Sequence, residues 1–143
     1  MTHLLVDTSV LIKWFHSEGE GALDQARLLR SAHVNAKIDA HMIDLAVYEV
    51  GNVLSRSLRW SAADVADQLD DLHAIMGPTL TLSKSGRRRA AVLAETHALT
   101  YYDASWAAAA EELGVALVSA ERQLLTAGLA ESPISACNRL RLV

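Results

Sequence analysis

His3-Leu4-Leu5-Val6-Asp7-Thr8-Ser9 is the stretch whose reading decides the fold. Leu4-Leu5-Val6 is a short apolar run closed by Asp-Thr-Ser. It reads as a buried strand, then a turn into a helix over about residues 9–15. A carboxylate at the end of a buried strand is costly unless something offsets its charge. Val115-Ala116-Leu117-Val118 reads as a second buried strand, and Ser119-Ala120-Glu121 follows it. Both acids are therefore expected beyond the carboxyl ends of their strands, where open parallel sheets bind ligands.

Between these strands the pattern is mostly helical. Helices are expected over about residues 22–34, 44–58, 61–76 and 84–97, with a further alanine-rich helix opened by Asp103 and ended by Gly114. The apolar side of the first of these comes from Ala22, Leu23, Ala26, Leu28 and Leu29. Asp44 and Ser61 read as N-caps, and Gly77-Pro78 as a stop. Ile38 to Met42 and Thr79 to Leu82 read as strands. Glu18-Gly19-Glu20-Gly21 reads as a loop. The alternating tail Arg139-Leu140-Arg141-Leu142-Val143 reads as an edge strand. Strands separated by helices imply parallel crossovers and an α/β layer structure.

The bulk numbers bound the function. The 143 residues fit one domain, and 51% hydrophobic with 21% charged residues describes a globule and not a disordered chain. The single cysteine, Cys137, leaves no intrachain disulfide and fits a cytoplasmic setting. No apolar segment approaches a membrane span. The N-terminus lacks a basic stretch, and Asp7 interrupts its apolar run, which argues against a secretory signal. The net charge of −4 argues against a non-specific nucleic-acid coat, yet it is compatible with an acidic metal site beside local basic residues.

Four acids carry the chemical argument: Asp7, Glu49, Asp103 and Glu121. Glu49 lies mid-helix between Leu45 and Val53, on a stripe that should pack. Asn52 and Arg56 share its face and are candidates to orient it and to contact a phosphate. Hard oxygen ligands suit Mg²⁺ or Mn²⁺, and such a site implies phosphodiester hydrolysis. Each acid also has a plainer reading. Asp7 and Asp103 serve as helix N-caps, Glu49 as a solvated helix residue, and Glu121 as a first-turn acid favoured by the helix dipole. Their shared destination at one sheet edge favours the site.

Other candidates are weighed the same way. Arg87-Arg88-Arg89 is a phosphate-steering patch, a solvated face or a surface for an acidic partner segment. Trp14, Trp60 and Trp106 read as core or interface anchors, with Trp14 and Trp60 also offered as contact surfaces for a partner. The six histidines show no HExxH or other close ligand pairing, which argues against zinc. Cys137 has no support as a nucleophile. A haloacid-dehalogenase-type phosphatase needs Asp-x-Asp after its first strand, and position 9 is Ser. A receiver domain needs paired acids there and a mid-chain phosphoacceptor.

Val6-Asp7-Thr8-Ser9-Val10-Leu11-Ile12, Glu49-x-x-Asn52, Tyr102-Asp103-Ala104-Ser105 and Val118-Ser119-Ala120-Glu121-Arg122-x-Leu124 resemble the ordered motifs of PIN-domain ribonucleases. Length and layout look like the VapC toxins of type II toxin–antitoxin systems, and the resemblance covers essentially the whole chain. It implies one PIN-like domain over residues 1–143, a three-layer α/β/α fold with a central parallel sheet, and a Mg²⁺- or Mn²⁺-dependent endoribonuclease. It also implies a VapB-like antitoxin and a homodimer. Asp7, Glu49 and Asp103 match the family's metal-binding acids. Ser9 and Asn52 match supporting polar positions, with Ser119 beside Glu121 in the same role. Arg56, Arg87 and Arg88 are the RNA-contact candidates. Glu121 stands where the family more often has Asp, in a Thr-x-Asp pattern that here reads Ser119-Ala120-Glu121. Its longer side chain reaches a metal directly or through a water, and the number of metals stays open. The rival reading is a non-catalytic RNA- or partner-binding module of the same fold.

Overall fold

The computed structural model describes residues 1–17 and 21–143. The loop expected at 18–21 therefore lies, apart from Gly21, outside the described residues.

The sheet has three strands, β1 (Thr2–Val6), β2 (Ile38–His41) and β3 (Ala116–Val118), in the order β2-β1-β3. Every pairing is parallel. Leu4 sits opposite Ala40 on one side and Ala116 on the other, and Val6 opposite Val118. A central parallel strand is covered on both faces, so it is apolar throughout and does not alternate. That is why Leu4, Leu5 and Val6 are all fully buried. Single parallel bridges, Ile43 to Leu80 and Val118 to Glu131, prolong the sheet at its two edges.

Helices flank this sheet. They are α1 (Thr8–Leu11), extended by a tighter turn Ile12–Trp14, α2 (Leu23–Val34), α3 (Leu45–Asn52), α4 (Ala62–Met76), α5 (Lys84–His97), α6 (Tyr101–Leu113), α7 (Arg122–Thr126) and α8 (Pro133–Leu140). The arrangement is the expected α/β class with a central parallel sheet between helices. Ser61 caps α4 by accepting from the Asp64 N–H at 3.1 Å, and Gly77 ends it at φ 75°. Gly114 ends α6 in the left-handed region at φ 68°, where a side chain is strained. α3 runs on into a wide π turn, Val53–Ser57, closed by Leu58 N–H to Val53 O at 3.0 Å. Such turns commonly sit at functional sites.

Four expectations are corrected. The tail is not an edge strand: Arg139 and Leu140 belong to α8. Ser132 caps that helix, Pro133 occupies its first turn, and Pro133, Ala136, Cys137 and Leu140 form its inward stripe. The segment 79–82 contributes one bridge at Leu80 and not a strand, with Leu80 N–H to Met42 O at 3.0 Å and Asp44 N–H to Leu80 O at 2.8 Å. Asp103 does not open its helix. Thr100 does, accepting from the Asp103 N–H at 3.1 Å, which places Asp103 in the first turn. Asp44 occupies an N-cap position but makes no side-chain cap bond. Among the described residues no helix is long and apolar enough to cross a membrane.

Candidate metal centre

The carboxyl ends of β1 and β3 are stitched together by backbone and serine hydroxyls. Asp7 N–H donates to Val118 O at 3.1 Å. The Ser9 hydroxyl donates to Asp7 Oδ1 at 2.5 Å and accepts from Ala120 N–H at 2.8 Å. Ser119, fully buried, accepts from Glu121 N–H at 2.9 Å and stands 3.5 Å from the Ser9 hydroxyl. Asp7 holds the N-cap position of α1, yet its carboxylate makes no cap bond. The plain helix-cap reading of Asp103 fails, since its helix is capped by Thr100, whereas Asp7 keeps the N-cap position with the Val10 backbone N–H as one of several groups that lower its carboxyl. Glu121 likewise stands at the start of α7 without a side-chain cap bond.

Glu49 is held from two other elements. Thr8 Oγ1 and Trp106 Nε1 each donate to Glu49 Oε1 at 2.9 Å. Trp106 is almost wholly buried, so this indole fixes the carboxylate from inside the core. The sequence reading placed Asn52 and Arg56 in that orienting role. In the structure Asn52 lines the cleft wall, and Arg56 is exposed on the π turn and off that wall.

Thr8, Ser9, Lys13, Glu49, Asn52 and Glu121 line one cleft of about 700 Å³. Asp7, 2% exposed, is tied to the cleft-lining Ser9 by its hydrogen bond, and half-buried Asp103, on α6, is near enough to Glu121 for its charge to act on it. The electrostatics tie the four acids into one group. Burial pushes the Asp7 carboxyl up to about 7; Ser119 and Ser9 pull it back, and Glu121 raises it further. Burial also raises Asp103, against the pull of Thr100. Glu121 is raised by burial first, then by the charges of Asp103 and Glu49. Like charges held together in a partly desolvated cleft do this unless a cation joins them. Carboxylates and hydroxyls form an all-oxygen donor set, which fits a hard divalent cation such as Mg²⁺ or Mn²⁺. The four acids remain wider apart than a closed ligand shell. Among the described residues, the group of three metal-type ligands with atoms within 4.8 Å of one another is His3, Asp39 and His41, on another part of the sheet.

Three residues at this site escaped the sequence reading: Thr8, Trp106 as a hydrogen-bond donor, and Lys13. Lys13 is 5% exposed in the turn after α1, on the cleft wall. The signal for it was a lone cation inside the apolar run Val10 to Phe15. The carbonyls around it are covered by Arg27, which donates to Lys13 O at 3.3 Å, and Arg30, which donates to Trp14 O at 2.6 Å. Trp14 itself is 3% exposed, so it is core and not the contact surface the sequence suggested. Two tyrosines on the same wall, Tyr48 and Tyr102, are strongly exposed. A smaller hollow of about 340 Å³ adjoins, sharing Leu45 and Tyr102 with the cleft, and Arg87 lines it. Arg88 is exposed on α5, while Arg89 is taken by Glu111 at 2.8 Å.

The family model of the PIN domain matches residues 4–128, so the chain belongs to the PIN-domain family. It is 32% identical over 84 residues to exonuclease VapC9 from Pyrobaculum aerophilum, a match covering 59% of this chain and 63% of that relative. The aligned part thus spans less than two thirds of the relative's length. Among solved structures, PAE2754 from the same organism superposes with a TM-score of 0.68 at 26% identity, covering 98% of this chain and 97% of the other. FitAcB from Neisseria gonorrhoeae gives 0.65 at 15% identity, covering 92% and 98%, and shows the shared fold alone.

Proposed function

We propose that this chain is a divalent-cation-dependent endoribonuclease, the toxin of a type II toxin–antitoxin pair. The observation that carries this reading is the grouping of Asp7, Glu49, Asp103 and Glu121, from four separate parts of the chain, around Glu121: the charges of Asp103 and Glu49 raise Glu121, and Glu121 in turn raises Asp7. These four residues would hold Mg²⁺ or Mn²⁺. A bound cation there lowers the pKa of a water and offsets negative charge on the scissile phosphodiester.

The protein's own groups prepare the site. Ser9 and Ser119 fix the Asp7 carboxylate. Thr8 and Trp106 both bind Oε1 of Glu49, which leaves Oε2 as the oxygen to offer a ligand. Lys13 adds a positive charge to the wall that a phosphate would approach. Single-stranded RNA is read by stacking its bases on aromatic rings. Tyr48 and Tyr102, 73% and 61% exposed beside the acids, are placed for that role. Arg87 in the adjoining hollow is the better placed phosphate contact, with Arg88 behind it and Arg56 off the wall.

The remaining parts of the reading are one PIN domain over residues 1–143, a cytoplasmic location, a homodimer, and a VapB-like antitoxin that covers the cleft. The name VapC9 carried by the relative supports the toxin assignment, while its label as an exonuclease makes the mode of cleavage a point to test.

The test uses purified, antitoxin-free protein on linear and circular RNA, with Mg²⁺ or Mn²⁺ against EDTA. Cation-dependent opening of the circle is expected, since an exonuclease cannot start on it. Asp7→Ala and Asp103→Ala should retain the fold and lose detectable cleavage. Wild-type rates in either variant would overturn the site. Binding of RNA without any turnover would favour the non-catalytic module of the same fold.

A further inference from the structure

Outside the cleft, three side chains on β1 and β2 converge. His3 and Asp39 are direct partners in the parallel register, and His41, two residues along β2, falls on the same face. His3 Nδ1 lies 3.1 Å from His41 Nε2 and 3.3 Å from Asp39 Oδ2, and His41 Nε2 lies 3.5 Å from that same oxygen. The two rings stack, with centroids 5.3 Å apart and planes inclined by 19°. All three contacts run through the same three atoms.

Hydrogen bonding satisfies at most two of the three edges of this triangle at once. The carboxylate oxygen only accepts, and each imidazole nitrogen either donates or accepts. With one ring nitrogen protonated, the other nitrogen faces the carboxylate lone pair to lone pair. With both protonated, both N–H groups donate to the carboxylate oxygen and the nitrogen–nitrogen edge has no bond. In each of these states one edge lacks a hydrogen bond. A cation at the centre satisfies all three edges together. A tetrahedral ion with bonds of about 2.0–2.1 Å sets its ligand atoms about 3.3–3.4 Å apart, and the observed edges straddle that value.

We propose that His3, Asp39 and His41 form a binding site for a transition-metal ion of the Zn²⁺ class, with its fourth position open to solvent. Two imidazoles select such an ion over Mg²⁺, which prefers the all-oxygen cleft. The side chains are 51%, 38% and 28% exposed for His3, Asp39 and His41, so an ion reaches them without unfolding. The ion ties edge strand β2 to central strand β1. Those strands lead directly into Asp7 and, through Asp44, into the helix of Glu49. The sequence shows no ligand spacing here because the pairing is made across strands, 38 residues apart for the two histidines.

The test is calorimetric titration of untagged, EDTA-stripped protein with Zn²⁺ in excess Mg²⁺, with Co²⁺ absorption as a report of tetrahedral geometry. One Zn²⁺ per chain is expected. His3→Ala, His41→Ala and Asp39→Asn should each weaken binding by at least about 10–100-fold, the loss typical even for outer partners of ligating histidines. Asp103→Ala should bind Zn²⁺ as wild type does. His3→Ala alters an exposed strand position and carries the test should His41→Ala fold poorly. Unchanged affinity in His3→Ala, loss of binding in Asp103→Ala, or no binding by folded wild type would each overturn the proposal. The readout is binding, so it stands apart from nuclease activity.

Discussion

Asp7 concentrates the energetics of the site in one side chain. Its carboxyl titrates near 3.8 when unfolded and at about 7 in the folded protein, chiefly because it is buried. The folded state therefore holds this proton more tightly, so stability declines as pH rises between these values and stays low above them. At about 1.4 kcal/mol per pH unit, the loss amounts to a few kcal/mol. Asp103 and Glu121 shift the same way and add to it. Thermal melts in EDTA should show the midpoint falling from pH 5 to pH 8. Asp7→Asn should flatten that fall and melt higher than wild type at pH 8, while losing cleavage. A flat wild-type profile would show that Asp7 is ionised without cost.

Two tryptophans, both core by burial, separate packing from chemistry. Trp106 Nε1 holds Glu49, whereas Trp14 Nε1 is buried with no hydrogen-bond partner among the described residues. Trp106→Phe should lower cleavage about 10–100-fold, as loss of an outer partner of a metal ligand does. Trp14→Phe removes no bond and should leave the cleavage rate near wild type. Equal effects in the two variants would mean that only ring volume matters.

At the scale of elements, α6 is the piece that brings the cleft together. From Ala104 to Ala110 it is buried on all sides, and apart from Trp106 the side chains of this run are small, which lets it lie close to the sheet and to α5. That proximity carries Trp106 to Glu49 and Asp103 to Glu121. Its ends are set by Thr100 and by Gly114 at φ 68°. Thr100→Ala should cost about 1 kcal/mol as a lost cap, and Gly114→Ala about 1–2 kcal/mol for a left-handed residue with a Cβ. Urea melts measure both. A neutral Gly114→Ala would show that the helix end relaxes. Each cut in α6 should also loosen Asp103, so Thr100→Ala is expected to reduce cleavage as well as stability.

At the scale of the molecule, the parallel topology explains why Asp7 and Glu121, distant in sequence, share one edge, to which α3 and α6 add Glu49 and Asp103. Each strand of a parallel sheet points the same way, so residues following β1 and β3 emerge side by side. Acidic residues gathered there repel one another, and the fold tolerates this strain because the core beneath is continuous and apolar. Adding Mg²⁺ at pH 8 should raise the melting midpoint of wild type and leave Asp7→Asn unmoved. A rise of equal size in both would place the stabilising cation elsewhere than the acidic cleft.

Much of this was legible in the chain itself. Leu4-Leu5-Val6 closed by Asp7, Val115 to Val118 followed by Ser119, the Ser61 cap and the Gly77 and Gly114 stops are local patterns, decided by neighbours a few residues away. They set the strands, most helices and the motifs that place the chain among PIN domains. The helix at Pro133–Leu140 was also locally written, in Ser132-Pro133 and the stripe Pro133, Ala136, Cys137, Leu140, but the short alternation at its end hid it. What the sequence alone determined was the strand–helix pattern up to Val118, apart from residues 79–82, and the membership of the PIN family; the four acids it put forward are the proposed ligands. Only the tertiary structure decided what holds them: Thr8 and Trp106 reach Glu49 across 41 and 57 residues, and Ser9 meets the Ala120 N–H across 111. Such contacts arise from how helices seat on the sheet, and no local spacing encodes that geometry.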